Sequence, residues 1–387
     1  MEVQNQIFTK RFNLLFVANL TVFLVFYALL TIFPLYVMKT LNGSQDQAGL
    51  LVTTFMISAI VVRPFSGKLL DSYGKKRLLV VGAIFYLIVT ICYAMIDSLS
   101  VLFVMRFIQG AAFSIVTTGC MALAADTIPV HRKGAGLGYF MMSSNLAIVL
   151  GPLVGLLLMQ YASFEMIFIV LGISMAIGAL AGLSVNTDDL PQPQKTSTKL
   201  SFKLHDLFEI KAMPIAIIGL AVSFTYTTVL SFMSLYAEEK DLLEAATYFY
   251  IVFAAAMIVV RPFAGKLFDL KGPKIIVIPS LVLYAVGLMV MSFITTPLGL
   301  ITAAVIIGVG FGSLSSALQT QAMQSAAATR SSYVTATYFT MYDAGIAVGS
   351  YIFGLVVLYF DFAFIYQLAA IVVLCILVVY MLYMRKK

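Results

Sequence analysis

The chain has 387 residues, of which 61% are apolar and only 11% charged; its mean hydropathy is +1.02 and its formal net charge is +7. A soluble globular domain carries about 45–50% apolar and about 25% charged residues. A water-soluble enzyme, a nucleic-acid binder and a disordered scaffold are therefore excluded, and twelve membrane spans of about 20–25 residues would use most of the length.

Apolar runs broken by polar turns predict helices over residues 12–38, 47–65, 78–96, 99–125, 134–161, 164–185, 212–236, 245–264, 275–294, 298–326, 331–358 and 362–384. Helices are required because lipid offers the backbone no hydrogen-bond partners. The first span follows Lys10 and Arg11 and shows no small-x-small cleavage pattern, so it is read as a retained helix rather than a signal peptide. The longest polar stretch runs from Asn186 to Lys211 and contains Asp188, Asp189, Pro191, Pro193 and four lysines. It is read as a cytoplasmic linker, residues 187–211, between six-helix bundles at 1–186 and 212–387. Its second part, residues 200–210, carries Phe202, Leu204, Leu207, Phe208 and Ile210 and predicts a short interfacial helix.

Placing both termini in the cytoplasm puts 21 of the 24 Lys and Arg on cytoplasmic ends and loops, Arg63, Lys68, Arg261 and Lys266 among them. Lys39 and Lys240 then lie outside and Arg106 lies within a span. This bias sets the orientation and makes the positive charge a topology signal rather than a nucleic-acid patch. Trp is absent, so interfacial anchoring against membrane lipids falls to Tyr and Phe.

Cys92, Cys120 and Cys375 fall in separate apolar runs and are read as buried free thiols; His131 and His205 fall in polar loops. No metal-ligand spacing and no nucleophile–base set is present, so no metal, no cofactor and no catalytic residues are expected.

The most informative feature is a duplication. Residues 61–76 read VVRPFSGKLLDSYGKK and residues 259–274 read VVRPFAGKLFDLKGPK, with 11 of 16 positions identical at an offset of 198 residues. That offset is half the chain, and both copies fall on the same side of the membrane, which predicts a parallel repeat. Gly67 and Gly265 suit a close helix approach, and Gly74 and Gly272 suit a backbone reversal. Asp71 and Asp269 are placed to accept N–H groups at a following helix start.

Residues 67–76 (GKLLDSYGKK) resemble the cytoplasmic G-x-L-x-D-x-x-G-R/K-R/K motif of the major facilitator superfamily. Arg106-Phe107-Ile108-Gln109-Gly110 resembles its R-x-x-Q-G motif. Gly151, Pro152 and Gly155 resemble the antiporter signature G-P-x-x-G-G of the twelve-helix drug:proton antiporter group, with Leu156 in place of the second Gly and Ala147 where an upstream Gly is usual. The resemblance implies an all-α membrane fold of twelve helices in two pseudo-symmetric bundles. It also implies a gating latch at Gly67, Asp71, Gly74 and Lys75, with Asp126 as ionic partner and Gly265, Asp269 and Gly272 as the second copy.

Two charges stand out inside spans, Arg106 and Asp343. An ionised carboxylate at the middle of a span is costly, which suits Asp343 to exchange protons; permanent pairing with Arg106 or a lysine is the structural alternative. Arg106 is read as an electrostatic relay or as a holder of backbone carbonyls. In the family, spans one, four, seven and ten line a central cavity, and Asn19, Tyr27, Gln109, Tyr226, Gln319 and Tyr338 are the candidate substrate-binding groups. Ser223, Thr227, Ser231 and Ser234 share one helical face; hydroxyls of this kind also serve as helix–helix glue.

The sequence thus predicts a non-enzymatic, monomeric, multi-pass cell-membrane transporter that exports a small organic molecule in exchange for protons by alternating access. A nutrient symporter or uniporter of the same fold is the alternative, and a membrane-embedded enzyme or receptor the more distant one.

Overall fold

In the computed structural model, residues 6–187, 207–357 and 359–385 are described. The expected interfacial helix at 200–210 falls largely outside them. Twelve helices are long and apolar enough to cross a membrane. They are α1 (Lys10–Lys39), α2 (Gln45–Tyr73), α3 (Lys75–Cys92), α4 (Leu99–Thr127), α5 (Lys133–Tyr161), α6 (Phe164–Leu183), α7 (Met213–Glu239), α8 (Leu243–Lys271), α9 (Lys274–Ser292), α10 (Pro297–Gln324), α11 (Ser331–Val357) and α12 (Phe362–Arg385).

Local sequence explains the ends. The Thr9 hydroxyl accepts the Phe12 N–H at the start of α1, and Ser44 and Gln47 form a reciprocal capping box at the start of α2. Thr296 caps α10, with Pro297 in its first turn. The α2–α3 and α8–α9 junctions turn at Gly74 (φ 93°) and Gly272 (φ 82°), in a region that L side chains seldom enter. Pro64 and Pro262 sit at the same repeat position inside α2 and α8, each removing one helical hydrogen bond.

The chain divides into two compact units. Unit 1 comprises Met1–Pro129, Ser143–Glu209 and Ala326–Thr337; unit 2 comprises Val130–Met142, Ile210–Ser325 and Tyr338–Lys387. In unit 1, α4 packs on α2, α3 and α1, and α6 on α3 and α1. Unit 2 repeats the order: α10 packs on α8, α9 and α7, and α12 on α9 and α7. The repetition extends to single bonds, since the Tyr36 hydroxyl donates to the Ile96 carbonyl (2.7 Å) and the Tyr236 hydroxyl to the Ser292 carbonyl (3.0 Å). Each unit also takes in the start of one helix from the opposite half of the sequence: the beginning of α5 belongs to unit 2 and that of α11 to unit 1.

Large apolar side chains cover the outer faces. On α3, Val81, Ile84, Phe85, Ile88 and Ile91 are exposed at helical spacing along one side, a face that only lipid can solvate. Cys120 is buried, Cys92 partly so, and Cys375 is exposed, which corrects the expectation of three buried thiols: Cys375 lies on the outward side of α12 beside exposed Leu374 and Ile371.

Candidate functional site

The two motif copies build two seams. In unit 2, the Asp269 carboxylate accepts the Gly134 N–H (2.7 Å) and the Ala135 N–H (2.9 Å), which are free donors at the start of α5. Gly265 faces the same turn: a Cβ there would run into the Gly134 carbonyl oxygen, and a Cβ on Gly134 would lie 2.6 Å from the Gly265 carbonyl oxygen. The helix start that Asp269 caps is therefore α5 and not the next helix in the chain, which the sequence reading had expected. The α8–α9 turn is closed by Gly272 instead, so the carboxylate is left to reach α5.

Unit 1 holds the corresponding seam between α2 and α11. Gly67 packs on Ser332, Tyr333 and Ala336, with Cβ space of only 3.0 Å to the Ser332 oxygen. Lys75 donates to Asp126 Oδ2 and to Ser331 Oγ, both at 2.7 Å, with side chains 5% and 1% exposed for Lys75 and Asp126. Asp71 lies beside Ser332, within the field of Lys75, Asp126 and Arg330. Arg330 pairs with Glu209, and the Glu209 N–H donates to Thr337 Oγ1 (2.8 Å), which ties the end of the linker to α11. Neither Glu209 nor Arg330 carried a sequence signal, because their pairing spans 121 residues.

Arg63 and Arg261, counted among the cytoplasmic ends by the charge bias, are buried within α2 and α8. Arg63 Nη1 donates to Thr117 Oγ1 (3.4 Å) and Arg261 Nη2 to Ser315 Oγ (3.2 Å), equivalent bonds at the repeat offset. Arg261 also donates to the carbonyls of Gly312 (3.3 Å) and Met141 (2.9 Å). Hydrogen bonds to backbone oxygens offset the cost of burying a guanidinium. The available signal was the VVRPF run, which holds an Arg at the same place in both copies.

Of the substrate candidates, Gln109 lies in a closed network in unit 1. Its Oε1 accepts from Arg106 Nη1 (2.7 Å) and from the Tyr93 hydroxyl (2.9 Å), and its Nε2 donates to Thr90 Oγ1 (3.0 Å). Arg106 is fully buried, with its guanidinium carbon 4.8 Å and 4.4 Å from the Phe33 and Phe55 ring centres. Its Nε and Nη2 have no hydrogen-bond partner. Arg106 and Asp343 belong to different units. Asn19 bridges α1 to α5 through Ser143 Oγ (2.8 Å). Tyr27 meets Gly151, where a Cβ would lie 2.5 Å from the Tyr27 Cβ, and Gly155 packs on Ile32 one turn later. The Gly151-Pro152-Leu153-Val154-Gly155 run thus seats α5 against α1.

Unit 2 gathers the other candidates. Tyr226 stacks on Phe311 with ring centres 3.9 Å apart, and Tyr338 stacks on Tyr342 at 6.3 Å. Tyr342, Tyr226 and Tyr338 are the leading electrostatic neighbours of Arg261. Gln319 is 1% exposed, and neither its amide oxygen nor its nitrogen has a partner. Asp343 is half-buried near the middle of α11. Ser223 and Thr227 donate to the carbonyls of Tyr342 (2.7 Å) and Ile346 (3.3 Å), and Ser231 meets Ser350 (3.4 Å), so that face of α7 serves as glue to α11. Among the described residues, no group of three or more His, Cys, Asp or Glu is placed to hold a metal ion.

The family model described as Major Facilitator Superfamily matches residues 15–350. The chain belongs to the major facilitator superfamily. Its solved structural neighbours agree with that fold. The human organic anion transporter MFSD10 (TETRAN) superposes with a TM-score of 0.83 at 13% identity, covering 96% of this chain and 98% of the other. A bacterial homologue of the iron transporter ferroportin in an outward-facing state superposes with a TM-score of 0.77 at 15% identity, covering 97% and 99%. In sequence, the quinolone resistance protein NorA of Staphylococcus aureus is 29% identical over 235 residues, 58% of this chain; the match spans 59% of NorA's length. An uncharacterized MFS-type transporter of Methanocaldococcus jannaschii is 24% identical over 86% of this chain and 88% of its own. Its family and its twelve apolar helices make it a multi-pass membrane protein.

Proposed function

We propose that this protein exports small organic molecules, multiple drugs among them, in exchange for protons. It does so as a monomer in the cell membrane with both termini in the cytoplasm, and it is not an enzyme. The halves 1–186 and 212–387 alternate about the linker 187–211. The observation that carries this reading is the pair of seams. Each motif copy grips the start of a helix from the other half through short polar contacts and a glycine, a clasp that can be released as a unit. Gly67, Asp71, Gly74, Lys75, Asp126, Gly265, Asp269 and Gly272 form the gate.

Asp343 takes and releases the proton, because a carboxylate within a span is costly when ionised and is relieved by protonation. Arg106 supplies the fixed buried charge of the first half. Asn19, Tyr27, Gln109, Tyr226, Gln319 and Tyr338 contact the substrate, and the Gly151–Pro152–Gly155 run keeps α5 close to α1 as it moves. The partial likeness to a quinolone resistance protein favours drugs as cargo. Proteoliposomes loaded with a quinolone test the reading. An imposed proton gradient should drive drug movement in the wild type, and Asp343→Asn should bind the drug yet lose the gradient's effect. Gradient-driven movement at the wild-type rate in that variant removes Asp343 from the coupling role, and its absence in the wild type removes proton-driven export.

A further inference from the structure

Among the described residues, the buried Arg261 of unit 2 donates its hydrogen bonds to neutral groups. The acceptors of Arg261 are two backbone carbonyls, of Gly312 and Met141, and the Ser315 hydroxyl. They take three of its five N–H groups and bring no negative charge. Tyr342, Tyr226 and Tyr338 lie within its field. Asp269, two turns along α8, is occupied with the Gly134 and Ala135 N–H groups. One turn beyond Ser315 on α10, Gln319 is buried with both amide atoms unused. The buried cation bonded to Ser315 and the unspent Gln319 amide one turn further along α10 are groups that a ligand bringing negative charge and acceptors would answer.

We propose that Arg261 and Gln319, with Tyr226, Tyr338 and Tyr342, recognise the acidic group of an amphipathic organic anion, so that preferred substrates carry a carboxylate. This rests on reading the tyrosine–amide face of unit 2 as part of the substrate site. The planar guanidinium matches a carboxylate with two parallel bonds. A carboxylate is also a stronger acceptor than the Met141 carbonyl. It therefore takes over that N–H and loosens the hold of α8 on α5, which links occupancy to release of the seam.

The test uses the full chain in nanodiscs and three dansyl-amino acids (glycine, leucine, phenylalanine) beside their methyl esters. Each pair differs by one charge at near-constant shape, and binding is read from dansyl fluorescence. The wild type should bind the acids about tenfold more tightly than the esters, the size expected of one charge-assisted contact. Arg261→Gln should bring that ratio to about 1, and Arg261→Lys should keep most of the preference. Acids and esters binding the wild type alike overturns the inference and leaves the substrate reading standing, as does an undiminished ratio in Arg261→Gln. Binding of neither acids nor esters overturns both. If Arg261→Gln does not fold, the wild-type ratio and Arg261→Lys decide the matter on their own.

Discussion

Asp269 Oδ1 accepts the backbone N–H of Gly134 at 2.7 Å across 135 residues of sequence. A carboxylate from one half of the chain thus caps a helix that begins in the other half. Because free N–H groups at a helix start carry the positive end of its dipole, the bond is charge-assisted, and it is made only while α5 and α8 are together.

Asp269→Asn keeps one acceptor oxygen and loses the charge. Hydrogen exchange at Gly134 and Ala135 should speed up selectively, by about five- to thirtyfold for a loss of about 1–2 kcal/mol. Unchanged protection of these two amides would show that the cap holds nothing.

Lys75 and Asp126 form a buried ion pair that also engages Ser331. Lys75→Met or Asp126→Asn alone leaves one partner buried with its charge or polarity unanswered, at a cost of about 3–5 kcal/mol. The double variant should lose much less than the sum. A double-mutant cycle by thermal unfolding in detergent measures the coupling, and strict additivity would refute the pair's role in stability.

Gly265→Ala and Gly272→Ala separate space from backbone geometry. At Gly265 the added methyl meets the Gly134 carbonyl, a rigid neighbour, so α5 must back away at about 1–3 kcal/mol. At Gly272 nothing lies within 4 Å, and only the positive φ is strained, at about 1 kcal/mol. Crosslinking between α5 and α8 through introduced cysteines should fall in the first variant and persist in the second.

Gln319→Leu should raise the melting temperature and lower drug binding together. An unpartnered buried amide costs about 1–3 kcal/mol, which an apolar side chain of similar volume recovers. A loss of stability in Gln319→Leu would mean that the amide is already satisfied.

Composition and hydropathy determined the class of protein and the number of spans, because a lipid solvent demands long uninterrupted apolar helices and leaves little room for other solutions, and the residue match between 61–76 and 259–274 revealed the duplication. The residues of the motif loops were legible for the same reason: Gly74 and Gly272 turn where the sequence puts them, and Lys75 meets Asp126 as the resemblance implied. Three features were decided only by tertiary structure. Charge counting registered Arg63 and Arg261 only as cytoplasmic-side charges, whereas folding supplies them with carbonyls and hydroxyls from helices about 50 or more residues away. Asp269 was matched with the nearest helix start in sequence, but its two donors come from α5. Gln109 and Gln319 looked alike on the page, yet one is saturated by Arg106, Tyr93 and Thr90 and the other has no partner. Periodicity reports which side of a helix is apolar; which polar groups meet across helices depends on how the helices are packed, and that information is distributed over the whole chain.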